Sequence, residues 1–225
     1  MIKAIILDLD GPVLDGRYRH FACYSKILSK YGYSPVSIDA YWNMKRERKD
    51  RRQQLAVSGA DKTYDSFLTE WMNLIEEPEM LSLDKLQPGV MAKLQKWQES
   101  GLCLVLATMR RYPERLYEQL RHMGLDIYFK HIVVCDYRIG GAGKAQNVKD
   151  AVPDLVPEDT LWIGDTEADI EAARILGVHV LAITSGLRTG EFLSSLRPDF
   201  IFKDLAEVEM GKLLCTCHRE VMQSQ

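Results

Sequence analysis

The chain has 225 residues, 46% hydrophobic and 27% charged, with 29 Lys and Arg against 32 Asp and Glu for a net charge of −3. It is long enough to bury a core without a disulfide or a structural metal. Its acidic balance speaks against nucleic acid as a partner, because binding to a phosphate backbone needs an excess of positive charge. Five scattered cysteines, an odd number, fit a reducing compartment. The opening MIKAIILDLDG, a short apolar run followed by two carboxylates, resembles neither a signal peptide nor a membrane span. The expectation is a soluble, cytoplasmic α/β protein without a membrane or nucleic-acid partner, its oligomeric state left open.

In chain order, the first predicted strand is 5–7, and it leads into Asp8-Leu9-Asp10-Gly11. Residues two apart in extended chain lie on the same side, so Asp8 and Asp10 face together. Such a pair is held by a cation or a shared proton, unless Asp10-Gly11 is simply a turn. Residues 16–81 contain no run suited to a buried strand, and helices are expected over 18–31, 38–57 and 63–75. The stretch Lys45-Arg46-Glu47-Arg48-Lys49-Asp50-Arg51-Arg52 carries six positive and two negative charges. It serves either as a solvated helix face or as a surface attracting an anionic substrate through residues such as Lys49 and Arg52.

From residue 88 onward, helical stretches alternate with short continuous apolar runs at 102–107, 132–135, 160–163 and 179–183. That is the pattern of a doubly wound parallel sheet with both faces covered. Ligands of such sheets sit beyond the carboxyl ends of the strands, where the chain carries further polar groups. Thr108 follows one strand, and its hydroxyl, with the amides of Met109 and Arg110, can bind an anionic oxygen. Gly140-Gly141-Ala142-Gly143-Lys144 fails as a P-loop, having Arg138 and Ala145 where that motif needs Gly and Ser or Thr. What remains is Lys144 near a helix start, either solvated or facing an anion. In Gly164-Asp165-Thr166-Glu167-Ala168-Asp169 the two aspartates are one helical turn apart and can face one cation; an acidic helix start is also good capping. Cys215, Cys217 and His218 lack a fourth ligand for a metal site.

The order of these motifs (DxDG, Thr, Lys, GDxxxD) resembles the haloacid dehalogenase superfamily, over nearly the whole chain. The stretch after the first motif is similar to the helical cap of its phosphoglycolate phosphatase and β-phosphoglucomutase-like branch. The resemblance implies a Rossmann-like core over 1–15 and 82–225 and an all-helical cap over 16–81. It also implies a Mg²⁺-dependent phosphatase acting on a small phosphorylated metabolite. Asp8 would be the nucleophile and Asp10 the general acid and base. Thr108 and Lys144 would hold the phosphoryl group, with Gly11, Met109 and Arg110 beside it. Asp8, Asp165, Asp169 and the Asp10 carbonyl would hold Mg²⁺. Two departures stand out: Pro12 follows Asp10-Gly11, and Met109 follows Thr108 where the family often has Asn. Retention of Asp10, Asp165 and Asp169 argues against dehalogenase chemistry. A β-phosphoglucomutase-like phosphomutase would keep every one of these residues, and a catalytically silent phospho-ligand binding protein is the further alternative. A receiver domain, which phosphorylates an Asp after its third strand, does not fit the order.

Overall fold

The computed structural model describes residues 1–210; the Cys215, Cys217 and His218 group lies outside the described residues. The chain enters through β1 (Ala4–Leu7) and β2 (Leu14–Asp15). It then runs through five helices, α1 (Arg17–Lys30), α2 (Ile38–Arg46), α3 (Arg51–Ala56), α4 (Tyr64–Leu74) and α5 (Pro78–Leu81). It returns through β3 (Lys85–Leu86), α6 (Val90–Glu99), β4 (Cys103–Met109), α7 (Pro113–His122), β5 (His131–Cys135) and α8 (Gly140–Ala151). The last elements are β6 (Thr160–Gly164), α9 (Glu167–Leu176), β7 (His179–Ile183), α10 (Gly190–Ser195) and β8 (Phe200–Phe202).

Six strands form one parallel sheet in the order β5-β4-β1-β6-β7-β8. From β1 the chain steps outward to β4 and β5, then crosses back to β6 on the other side. The crevice beyond the carboxyl ends of β1 and β6 is therefore the switch point of the sheet, where open α/β folds bind ligands. Both faces are dry, which explains the unbroken apolar runs. Ile5, Leu7, Leu104, Leu106, Leu161 and Ile163 pack against α6 and α7 through Leu94, Trp97, Leu116 and Leu120. Ile6, Val105, Ala107, Trp162 and Val180 pack on the other face against Ala145 and Val148 of α8 and Ile170 and Ala173 of α9.

The five helices after β2 have a hydrophobic cluster of their own, including Tyr24, Ile27, Leu28, Tyr41, Leu55, Phe67 and Trp71. Tyr24 and Tyr41 stack with ring centroids 4.5 Å apart. The two passages between this layer and the sheet run side by side as the antiparallel pair β2–β3. Neither of these two-residue strands is visible in the sequence pattern, nor is β8.

The helix expected over 38–57 is two helices. Arg48 turns the chain at φ 61, and Asp50 restarts it with a capping box to Gln53. An unbroken helix would set Lys45 against Lys49 and Arg48 against Arg52, like charges four residues apart that destabilise a helix. The break also parts the basic block, sending Lys45 and Arg46 inward and leaving Lys49 and Arg52 exposed. Strand β4 runs on through Thr108 and Met109, paired with Val134 and Cys135 of β5, so Thr108 lies within the strand and not after it.

Strand β6 ends in Gly164 because the first turn of α9 sits directly over it: a Cβ there would overlap the Asp169 side chain. Gly164→Ala is expected to cost about 1–3 kcal/mol, read as a lowered denaturant midpoint with an unchanged m-value.

Candidate active site

A cavity of 320 Å³ opens over the carboxyl ends of the central strands. Asp8, Asp10 and Gly11 line it from the end of β1, Thr108 and Met109 from β4, Lys144 from α8, and Asp165 from the end of β6. Residues separated by more than 150 positions thus meet at the switch point. His20 and Trp42 close the cavity from the inserted helices.

Asp8 follows β1, with its backbone N–H donating to Ile163 O at 2.9 Å. Burial pushes its pKa up to about 7; Lys144 opposes the shift, while Asp169 and Asp10 add to it. Lys144 is buried, with Nζ 2.7 Å from Asp169 Oδ1 and 3.1 Å from Asp8 Oδ1. Burial works against its charge, but Asp169 and Asp8 outweigh it and raise its pKa above the ordinary lysine value. The second branch of the sequence reading, a lysine facing anions, is the geometry found.

Asp165 is enclosed by two glycines: a Cβ on Gly11, which has φ 109°, or on Gly186 would overlap its carboxyl group. Its Oδ2 accepts from the Leu187 N–H, and its Oδ1 is buried without a hydrogen-bond partner. Burial, then Asp8 and Asp169, raise its pKa well above the carboxylate range. Ligand atoms of Asp8, Asp165 and Asp169 lie within 4.8 Å of one another. An orphaned buried oxygen within a crowd of carboxylates is the environment that a hard divalent cation satisfies.

Asp169 stands differently from its neighbours. Oδ1 accepts from Lys144 Nζ at 2.7 Å and Trp162 Nε1 at 3.2 Å, and Oδ2 from Thr166 Oγ1 at 2.7 Å and Thr166 N at 3.2 Å. All of its roughly four acceptor positions are engaged. A cation would reach it only by displacing one of these donors, so in this arrangement Asp169 anchors Lys144 and starts α9.

Asp10 is gripped by two arginines, Arg19 Nη2 at 2.6 Å and Arg110 Nη2 at 2.9 Å. Burial alone would raise its pKa, but Arg110 and Arg19 outweigh burial and lower it. Arg110 is thus buried against Asp10. Lys49 and Arg52 are not brought to the cavity; Arg52 lies 3.7 Å over the Tyr64 ring. Their neighbour Lys45 does approach, its Nζ 2.9 Å from Nδ1 of the cavity residue His20. Arg46 donates to Thr184 O at 2.8 Å, tying α2 to the loop after β7.

That loop, Ser185-Gly186-Leu187, is a part of the wall that sequence reasoning missed. The signal was available: it follows a predicted strand, as the other four motifs do. Arg19, Trp42, Asp84 and Gln87 offered no comparable signal, since each is polar or aromatic in a stretch with no motif. Glu76, near the end of the inserted helices, accepts from the Arg111 N–H at 3.1 Å and the Tyr112 N–H at 3.3 Å, joining those helices to the loop that leads into α7.

A parallel sheet with paired carboxylates and a buried lysine at its switch point, and helices inserted after the first strand, defines an α/β core with a helical insertion over its candidate site. A family model described as haloacid dehalogenase-like hydrolase matches residues 2–177, and the chain belongs to that family of hydrolases. It is 27% identical over 191 residues to a phosphoglycolate phosphatase of Rhodobacter capsulatus, covering 84% of this chain and 87% of that one. It is 22% identical to the pyrophosphatase PpaX of Oceanobacillus iheyensis, over 92% and 95% of the two chains. In fold it is similar to a haloacid dehalogenase-like family hydrolase from Streptococcus pneumoniae, with TM-score 0.73, 22% identity and coverage of 92% and 96%.

The raised pKa of Asp8 sets a pH dependence. The unfolded chain loses this proton near the ordinary value of 3.8, whereas the folded protein keeps it until about 7. Its contribution to stability is therefore largest at the acid end and declines as pH rises through that window. In chelator, the unfolding free energy of wild type minus that of Asp8→Asn should fall between these pH values. A divalent cation added above the window should raise the wild-type Tm more than that of the variant.

Proposed function

We propose that this protein is a Mg²⁺-dependent phosphatase that hydrolyses a small phosphorylated metabolite through an aspartyl-phosphate. The observation that carries the reading is the convergence of Asp8, Asp10, Thr108, Lys144 and Asp165 on one cavity. Phosphoryl transfer asks for an in-line nucleophile, neutralised equatorial oxygens and a proton for the leaving group, and these side chains match those needs. The named activities of the two curated relatives, both phosphatases, support hydrolysis over the phosphomutase alternative.

In the first half-reaction an Asp8 carboxylate oxygen forms a bond to phosphorus as the bond to the ester oxygen breaks. Asp10, protonated for this step against the pull of its two arginines, gives its proton to the departing alkoxide. In the second, water attacks phosphorus and gives its proton to Asp10, the bond to Asp8 breaks, and inorganic phosphate leaves. Lys144 and the Thr108 hydroxyl hold the phosphoryl oxygens throughout, and the ammonium offsets their charge. Asp8 and Asp165, with the Asp10 carbonyl, are the groups fitted to hold Mg²⁺, which when bound supplies charge neutralisation for the phosphoryl oxygens. His20 and Trp42, on the inserted helices, lie where they meet the leaving group and restrict access of water.

The test is phosphate release from a panel of phosphomonoesters, phosphoglycolate and hexose phosphates among them, with Mg²⁺ or EDTA. Wild type should release phosphate only with the metal, and Asp8→Asn should lose at least about 10³-fold in kcat with an unchanged far-UV spectrum. Isomerisation of a hexose phosphate without phosphate release would overturn the reading in favour of a mutase.

A further inference from the structure

The contacts of Asp10 occupy most of its carboxylate. Arg19 Nη2 donates to Oδ1 at 2.6 Å, and Arg110 Nη2 lies 2.9 Å from each oxygen. A carboxylate offers about four acceptor positions, so these contacts leave one direction, on Oδ2. The Asp10 side chain is 31% exposed and lines the cavity, while the side chains of Arg19 and Arg110 are 1% and 5% exposed. What remains open on Asp10 therefore looks into the cavity.

Asp84, fully buried, stands behind both arginines, with Oδ1 3.0 Å from Arg19 Nε and Oδ2 4.0 Å from Arg110 Nη2. Its Oδ2 also accepts from Gln119 Nε2 of α7 at 2.7 Å. The four charged groups belong to separate parts of the fold. Asp10 follows β1, Arg110 follows β4, Asp84 immediately precedes β3 at the return passage, and Arg19 is on α1, the first inserted helix. Arg19 thus touches both Asp84 at the return passage between the layers and Asp10 on the cavity wall. Each arginine reaches Asp10 through one nitrogen, Nη2, and two such charge-assisted donors arriving from different elements fix the carboxylate more tightly than one could.

We propose that Arg19, braced by Asp84, is a positioning residue for Asp10. Together with Arg110 it sets the carboxylate so that its open oxygen meets the bridging oxygen of a bound ester. Because Arg19 rides on α1, the aim of Asp10 is tied to the position of the inserted helices. This rests on the reading of Asp10 as proton donor to the leaving group.

The experiment compares kcat/KM, which reports the first phosphoryl transfer, for two esters. Ethyl phosphate needs a proton on its leaving group, whereas 4-nitrophenyl phosphate expels a stable phenolate without one. Arg19→Ala should lose about 30-fold or more on ethyl phosphate and less than about 3-fold on the nitrophenyl ester. Methylguanidinium in solution should restore part of the ethyl phosphate activity. Arg19→Lys keeps a charge beside Asp84 and so protects the fold; it should show the same split, reduced in size. Equal losses on both esters, or none on either, would overturn the proposal and leave Arg19 as a brace of the fold. No metal-dependent release from either ester by wild type would overturn the hydrolase reading itself, and this role with it.

Discussion

Everything at the carboxyl edge of the sheet depends on balancing negative charge in a dry place. Asp8, Asp10, Asp84, Asp165 and Asp169 gather around three cationic side chains, Lys144, Arg19 and Arg110. Asp169 is fully served by Lys144, Trp162 and Thr166, and Asp10 is held by its two arginines with one direction left open. The shortfall falls on Asp8, Asp165 and Asp84, and there burial drives the pKa upward. Breaking a buried ion pair from one side costs several kcal/mol, so the excess of two negative charges is a standing demand for cations. A divalent metal would answer it beside Lys144, whose charge Asp169 and Asp8 favour, and the same positive groups would suit a phosphoryl dianion.

The helices inserted after β2 are held to the sheet by directional contacts more than by apolar area. Their own cluster around Tyr24, Phe67 and Trp71 is separate from the two that sandwich the sheet. The links across are polar: Arg46 to Thr184 O, Arg48 to Glu167, Glu76 to the amides of Arg111 and Tyr112, and Arg19 to Asp10. Polar links between layers can be exchanged for water at small net cost, whereas a shared apolar core cannot. That architecture suits a layer that must let substrate in while bringing His20 and Trp42 over it.

Much of this protein is fixed by its amino-acid sequence acting locally. Continuous apolar runs determine the five long strands because both sheet faces are covered, and Gly101, Gly124 and Gly177, all at positive φ, stop α6, α7 and α9. Asp8, Asp10, Asp165 and Lys144 stand out because charged residues next to buried strands have no structural excuse. The division of 38–57 into two helices was also written locally, in the like charges four apart and in the Asp50–Gln53 cap. What only tertiary structure decided is who faces whom. Arg19, Asp84, Gln87 and Trp42 gain their meaning from the crossing of β2 and β3, a pairing of two residues each with no periodicity to betray it. Whether Asp169 serves a cation or Lys144 depends on Trp162 and Thr166 arriving from the strand below and the turn before it. Spacing tells which side of a helix a carboxylate is on, but its partner is chosen by distances that arise only when strands far apart in the chain lie side by side.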